Sequence, residues 1–167
     1  MARNIFFISD THWGHENIIY HCNRPFEDHH DMDNEMIRKW NERVQPEDLV
    51  IHLGDFAWSI QHAKRVRMQL NGTIQLIIGN HDPVIKLAQT GMFQKMMESK
   101  KGESIDASLK GVLFTHRPII MNGQCINVHG HTHNLENTKA NHVNISCEHT
   151  NYAPLTLEEL QKLIKGV

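Results

Sequence analysis

The sequence predicts an α/β sandwich of two sheets, and three observations carry that prediction. Short, wholly apolar segments rich in strand formers alternate with segments whose apolar residues recur every three or four positions. The alternation is regular in the first half, as in strand, helix, strand units that build a largely parallel sheet. In the second half several short strands follow with little helix between them, which predicts a second, more antiparallel sheet.

Taken in order, Ile5-Phe6-Phe7-Ile8 is continuously apolar, as expected of a strand buried on both faces, and it stops at Ser9-Asp10. From Asp31 to Val44 the residues Met32, Met36, Ile37, Trp40 and Val44 fall on one helical face, and Pro46 closes the helix. Leu49 to Leu53 reads as a second buried strand. Ile60, Ala63, Val66 or Arg67, and Leu70 mark one face of a further helix before the Asn71-Gly72 turn. Ile74 to Ile78 is a third strand and Pro83 to Gln89 a short helix; the ambiguous stretch that follows has room for a hairpin. Gly111 to Thr115, Cys125 to Val128 and His142 to Cys147 read as strands. Thr156-Leu157-Glu158-Glu159 has capping-box spacing and opens a C-terminal helix carrying Leu157, Leu160 and Ile164.

At 167 residues the chain predicts one domain over 1–167. Its 40% hydrophobic and 22% charged residues are ordinary for a globular protein, and a formal charge of -2 gives no general attraction to nucleic acid or anionic membrane. Three widely spaced cysteines without a C-x-x-C pair read as buried, reduced thiols. With no export signal and no apolar run long enough for a bilayer, they point to the cytoplasm. The outlier is histidine, at 14 residues spread along the chain, which suggests metal or proton chemistry.

Metal-competent residues recur immediately after the predicted strands: Asp10 and His12, then Gly54-Asp55, Gly79-Asn80-His81-Asp82, His116, and Gly130-His131-Thr132-His133. Ligands bind at the carboxyl ends of strands in an open α/β sheet, so five such clusters can converge on one place. Asp10 and His12 alternate by two and can grip one ion from the same side, as can His131 and His133. The set offers carboxylate, imidazole and amide donors without thiolate, which suits manganese, iron, zinc, nickel or cobalt. It exceeds the needs of one ion, and a carboxylate such as Asp55 can bridge two. Two ions ~3.5–4 Å apart can activate a shared water for in-line attack at phosphorus.

In this order the five blocks resemble the calcineurin-like metallophosphoesterase superfamily. The text around them, Ser9-Asp10-Thr11-His12-Trp13-Gly14-His15 and Asn23-Arg24-Pro25-Phe26, is similar to its small bacterial and phage members. The resemblance implies a four-layer α/β/β/α sandwich of two mixed sheets flanked by helices, with two divalent ions, manganese foremost. It assigns Asp10, His12, Asp55 and His133 to the first ion, and Asp55, Asn80, His116 and His131 to the second. His81 would protonate the leaving alkoxide. The implied substrate is a small phosphate monoester or diester, with a nucleotide among the candidates and no membrane involved. One alternative is a nuclease of the same superfamily acting on short or single-stranded nucleic acid, although the net charge supplies no basic track for it; a catalytically silent metal-binding module is the other.

Many relatives extend the second block to G-D-x-x-D, where this chain has Trp58. Asp82 or a backbone carbonyl is then expected to orient His81. His15 and Arg24 lie close enough to the first block to contact substrate phosphate. Arg117 is expected to point away from its neighbour His116. His52 and His129, near the ligands, are candidates for supporting them. Trp13 and Trp58 are expected in the core or on the rim.

Overall fold

The computed structural model describes residues 3–120, 123, 125–136 and 140–167. Its first sheet has strand order β4-β3-β2-β1-β9, comprising β1 (Ile5–Ile8), β2 (Leu49–His52), β3 (Thr73–Ile77), β4 (Lys95–Met97) and β9 (Leu155–Thr156). All neighbours are parallel except β1 and β9. The second sheet has the order β5-β6-β7-β8, from β5 (Ser99–Lys101), β6 (Val112–Thr115), β7 (Ile126–His129) and β8 (His142–Asn144). Helices α1 (Glu16–Cys22), α2 (His29–Arg43), α3 (Ile60–Arg67), α4 (Val84–Ala88) and α5 (Leu157–Lys165) complete two mixed sheets flanked by helices.

The period of two along β1 divides the core. Phe6 and Ile8 join Val50, Ile74 and Leu76 beneath Ile18, Ile19, Met32, Met36, Trp40, Ala63 and Val66 of the first three helices. Phe7, with Ile51 and Ile77, faces the other way onto Phe114, Val128 and Val143 of the second sheet; Phe7 stacks on Phe114 at 5.4 Å, and α5 adds Leu160. The capping box of α5 is formed in full, with Thr156 Oγ1 accepting from Glu159 N and Glu159 Oε2 accepting from Thr156 N. No helix among the described residues is long and apolar enough to cross a membrane.

Three expectations are corrected. The second sheet is not mainly antiparallel: only β5 and β6 run antiparallel, while β6, β7 and β8 are parallel. Parallel neighbours are joined by crossovers and not by hairpins, so the missing helical periodicity in this half does not mean hairpins. The stretch after α4 holds no hairpin either. β4 pairs with β3 in one sheet and β5 with β6 in the other, so the chain changes sheet at Glu98. The cysteines are all free, yet only Cys22 and Cys147 are buried; Cys125 is exposed.

The parallel arrangement positions the site. With β6 and β7 parallel, His116 and the His131 turn leave the sheet at the same edge; an antiparallel pair would have sent them to opposite edges. A bridge from Ser9 to Ser146, with Cys147 N donating to Ser9 O, brings that edge against the end of β1.

Candidate metal centre

Five of the nine non-glycine residues with positive φ among the described residues are Asp10 (57°), His12 (51°), Asp55 (54°), His131 (67°) and His133 (46°). Left-handed backbone is uncommon outside glycine, is tolerated best by Asp, Asn and His, and gathers at functional sites. The tight turns that follow β1, β2 and β7 thus aim these side chains inward. The turns interlock through glycine. A Cβ on Gly79 would collide with Asp55, one on Gly130 with Ser9 and Asp10, and one on Gly54 would sit 2.7 Å from Gly79 and from His116 Nδ1.

Two donor groups result. One ligand atom each from Asp10, His12 and His133 lie mutually within 4.8 Å, as do those of Asp55, His116 and His131. Asp55 stands between them, its Oδ2 3.5 Å from His12 Nε2 and 3.4 Å from His116 Nε2. Asn80 joins the second group, with Oδ1 2.9 Å from His116 Nε2. His116 Nδ1 donates to the Leu53 carbonyl at 2.8 Å, which leaves Nε2, facing Asp55 and Asn80, as the nitrogen that would give a lone pair to an ion in place of its proton. His12 Nε2 is buried with no hydrogen-bond partner among the described residues. An unpaired buried nitrogen facing a carboxylate is costly unless something cationic completes it, so these residues fit a divalent ion.

Burial opposes the charge on Asp55, but the hydrogen bond from His116, the neighbouring His116 and His12, and the His81 N–H outweigh it and hold the carboxyl below the usual range. Asp10 goes the other way, pushed up by burial against the pull of His116 and His133. Burial disfavours charge on His133 too, yet hydrogen bonds to Cys22 and Glu148 and the nearby Asp10 push it up to about 10. An ion bound there would displace that proton.

The structure thus brings all seven candidate ligands to one edge, and His81 stands beside them with its ring 5.7 Å from that of His12. Asp82 does not orient His81. Its oxygens accept from the backbone N–H groups of Gly79, Asp55 and Phe56, so it ties the second and third turns together.

Arg24 does not face substrate. Its guanidinium is fully enclosed, donating to the carbonyls of Asp10 (2.8 Å) and Thr11 (3.0 Å) and to Glu148 Oε1 (2.7 and 3.0 Å). A fork that fits phosphate also fits a carboxylate and two carbonyls, and here those partners hold it. Arg117, by contrast, is exposed. It lines an open cavity of about 320 Å³ with Asn80 and His116, contrary to the expectation that it points away from the site. His15 lies 5.5 Å from the His12 ring and stacks on Trp58 at 4.0 Å; burial, then His81 and Arg24, lower it to about 4, so it carries no charge for a phosphate at neutral pH. Trp13 is buried, whereas Trp58 is 55% exposed on the rim. His52 is buried and supports the first turn through Thr11 Oγ1 at 3.0 Å.

Glu148 was missed as a site residue: its Oε1 accepts from His133 Nδ1 at 3.0 Å. The signal was available, because Glu148 follows the strand predicted at His142 to Cys147 just as the other blocks follow theirs. Ser146 was missed as well, and its hydroxyl donates to Asp10 Oδ2 at 2.9 Å.

The chain matches the Calcineurin-like phosphoesterase family over residues 3–163. It is 34% identical over 176 aligned positions, covering 98% of this chain and 92% of the relative, to an uncharacterized protein of Methanocaldococcus jannaschii, MJ1445. A crystal structure of AQ665 from Aquifex aeolicus, a protein of unknown function, superposes with a TM-score of 0.73 at 25% identity, covering 98% of this chain and all of that one. Matched along nearly its whole length, and carrying its metal-competent residues at one sheet edge, the chain belongs to the calcineurin-like phosphoesterase family.

Proposed function

We propose that the protein hydrolyses a small phosphate ester, using water activated between two divalent ions with Mn²⁺ as the working metal. The observation that carries this reading is Asp55 Oδ2 between His12 Nε2 and His116 Nε2, a carboxylate with one imidazole on either side. In this reading Asp10, His12, Asp55 and His133 hold one ion and Asp55, Asn80, His116 and His131 the other. When bound, the pair supplies Lewis acidity and a water acidic enough to be deprotonated near neutral pH.

The chain's own residues do the rest. Asp55 accepts the His81 N–H through Oδ1 at 2.8 Å, which fixes the His81 backbone to the bridging carboxylate. His81, exposed at the mouth, delivers a proton to the departing ester oxygen. Arg117, on the cavity shared with Asn80 and His116, takes the contact with substrate anion first assigned to Arg24. The rim formed by His15 and Trp58 meets the remainder of the ester, and a nucleotide has the flat base to use it. The three unpaired thiols keep the cytoplasm as the expected compartment.

The test is hydrolysis of an aryl phosphodiester and an aryl phosphomonoester by the Mn²⁺-loaded protein, with His81→Ala in parallel. Turnover that requires metal supports the reading. Two bound ions with no turnover of either ester would sink it.

A further inference from the structure

We propose that Arg24 and Glu148 are positioning residues for the first ion: Glu148 sets the direction and tautomer of His133, and Arg24 locks Glu148 to the Asp10–His12 turn. The inference rests on the two-ion reading above. It concerns residues outside all five motif blocks, brought together from positions 124 apart.

A carboxylate can only accept, so Glu148 Oε1, 3.0 Å from His133 Nδ1, requires the proton on Nδ1. The nitrogen left to donate a lone pair is Nε2, 4.0 Å from Asp10 Oδ1 and on the side of the first donor group. Arg24 then makes the carboxylate immobile. Its Nε and Nη2 both reach Glu148 Oε1, at 3.0 and 2.7 Å, while Nη2 and Nη1 reach the carbonyls of Asp10 and Thr11. One planar fork thereby references His133 to the very turn that carries Asp10 and His12. Lysine, with a single point of charge, cannot span those acceptors.

The same place admits a competing interpretation. Cys22, His133 and Glu148 have donor atoms within 4.8 Å of one another, a spacing suited to a third metal ion. Arg24 decides against it. A guanidinium enclosed on Glu148 already neutralises that carboxylate, and a second cation would have to share it. The trio therefore orients a ligand of the first ion.

The experiment is Mn²⁺ titration of metal-free parent, Glu148→Gln, Arg24→Lys, His133→Ala and the His133→Ala/Glu148→Gln double variant, followed by calorimetry and by the EPR signal of a coupled Mn²⁺ pair. Folding of each metal-free variant is checked by circular dichroism. The parent is expected to bind two ions. Glu148→Gln and Arg24→Lys should weaken one of them by about 10- to 100-fold, leave the other unchanged and diminish the coupled signal. The double variant should bind no more weakly than His133→Ala, since Glu148 acts through that imidazole.

Two ions bound by Glu148→Gln as tightly as by the parent would overturn the inference alone, as would a third ion in the parent. A parent that binds fewer than two ions would overturn the two-ion reading first. Should Glu148→Gln not fold, the His133 tautomer in the loaded parent, read by imidazole nitrogen NMR with diamagnetic Zn²⁺, decides: a proton on Nδ1 supports the assignment and a proton on Nε2 defeats it.

Discussion

The two donor groups are built from similar residues and held in different ways. His116, in the second, is oriented by a main-chain carbonyl, Leu53 O, just past the end of β2 in the other sheet. His133, in the first, is oriented by a carboxylate whose own partner is an enclosed arginine. A carbonyl comes with the sheet and needs no further support; a buried charge pair needs every partner in place. Both groups rest on close-packed glycines; the second depends further on how the two sheets meet, and the first on a chain of ionic contacts between distant segments. Asp55 belongs to both.

That contrast can be broken at its shared point or sharpened on either side. The largest effect is expected from Asp55→Asn, which removes the carboxylate between the groups; activity should fall by about 10³-fold or more, a loss of several kcal/mol at the transition state. Steady-state kinetics with excess Mn²⁺ measures it, and near-parental rates would deny Asp55 its role. His81→Ala should keep both ions and lose about 10²-fold in kcat on alkyl esters, far less on esters with acidic phenol leaving groups that need no proton. Equal losses on both ester types would remove His81 as the proton donor.

The glycines separate the two sides. Gly54→Ala presses on Gly79 and His116 from a left-handed position and should loosen the second ion, whereas Gly130→Ala presses on Ser9 and Asp10 and should loosen the first. Each is expected to lower stability by about 1–3 kcal/mol, read by denaturant unfolding with and without Mn²⁺. Identical changes in metal binding would erase the distinction. Thr156→Ala is the control away from the site. It removes the α5 capping interaction at a cost of about 1 kcal/mol and should leave ion affinity and kcat untouched.

Much of this was legible in the sequence because it is local. The apolar run of Ile5 to Ile8, the helical spacing through Met32, Met36 and Trp40, and the Thr156–Glu159 box each carry their signal within a few residues. The five blocks were legible for the same reason, since an Asp or His one step past a strand can be recognised without its partners. What escaped was fixed by distant pairing. Helix α1 is a seven-residue segment whose Ile18, Ile19 and Cys22 are too few to show a period. The direction of β7 and β8 depends on which strand they meet. Arg24 resembled a phosphate ligand because its partner is none of the nearby carboxylates such as Glu27 or Asp28; Glu148 claims it from the far end of the chain.

The bridge between Ser9 and Ser146 has a consequence for how the protein comes into being. β1 is bordered on one side by β9 and reached at its end by the turn carrying Glu148, so this strand is completed by segments synthesised well over a hundred residues later. A ribosome releases Asp10, His12 and Asp55 long before Glu148 exists to settle Arg24 and His133. On the proposed two-ion reading, metal capture in its final geometry is thus a late event in the life of the nascent chain, and a product halted before Ser146 would display all five motif blocks and still lack the Glu148 contact to His133.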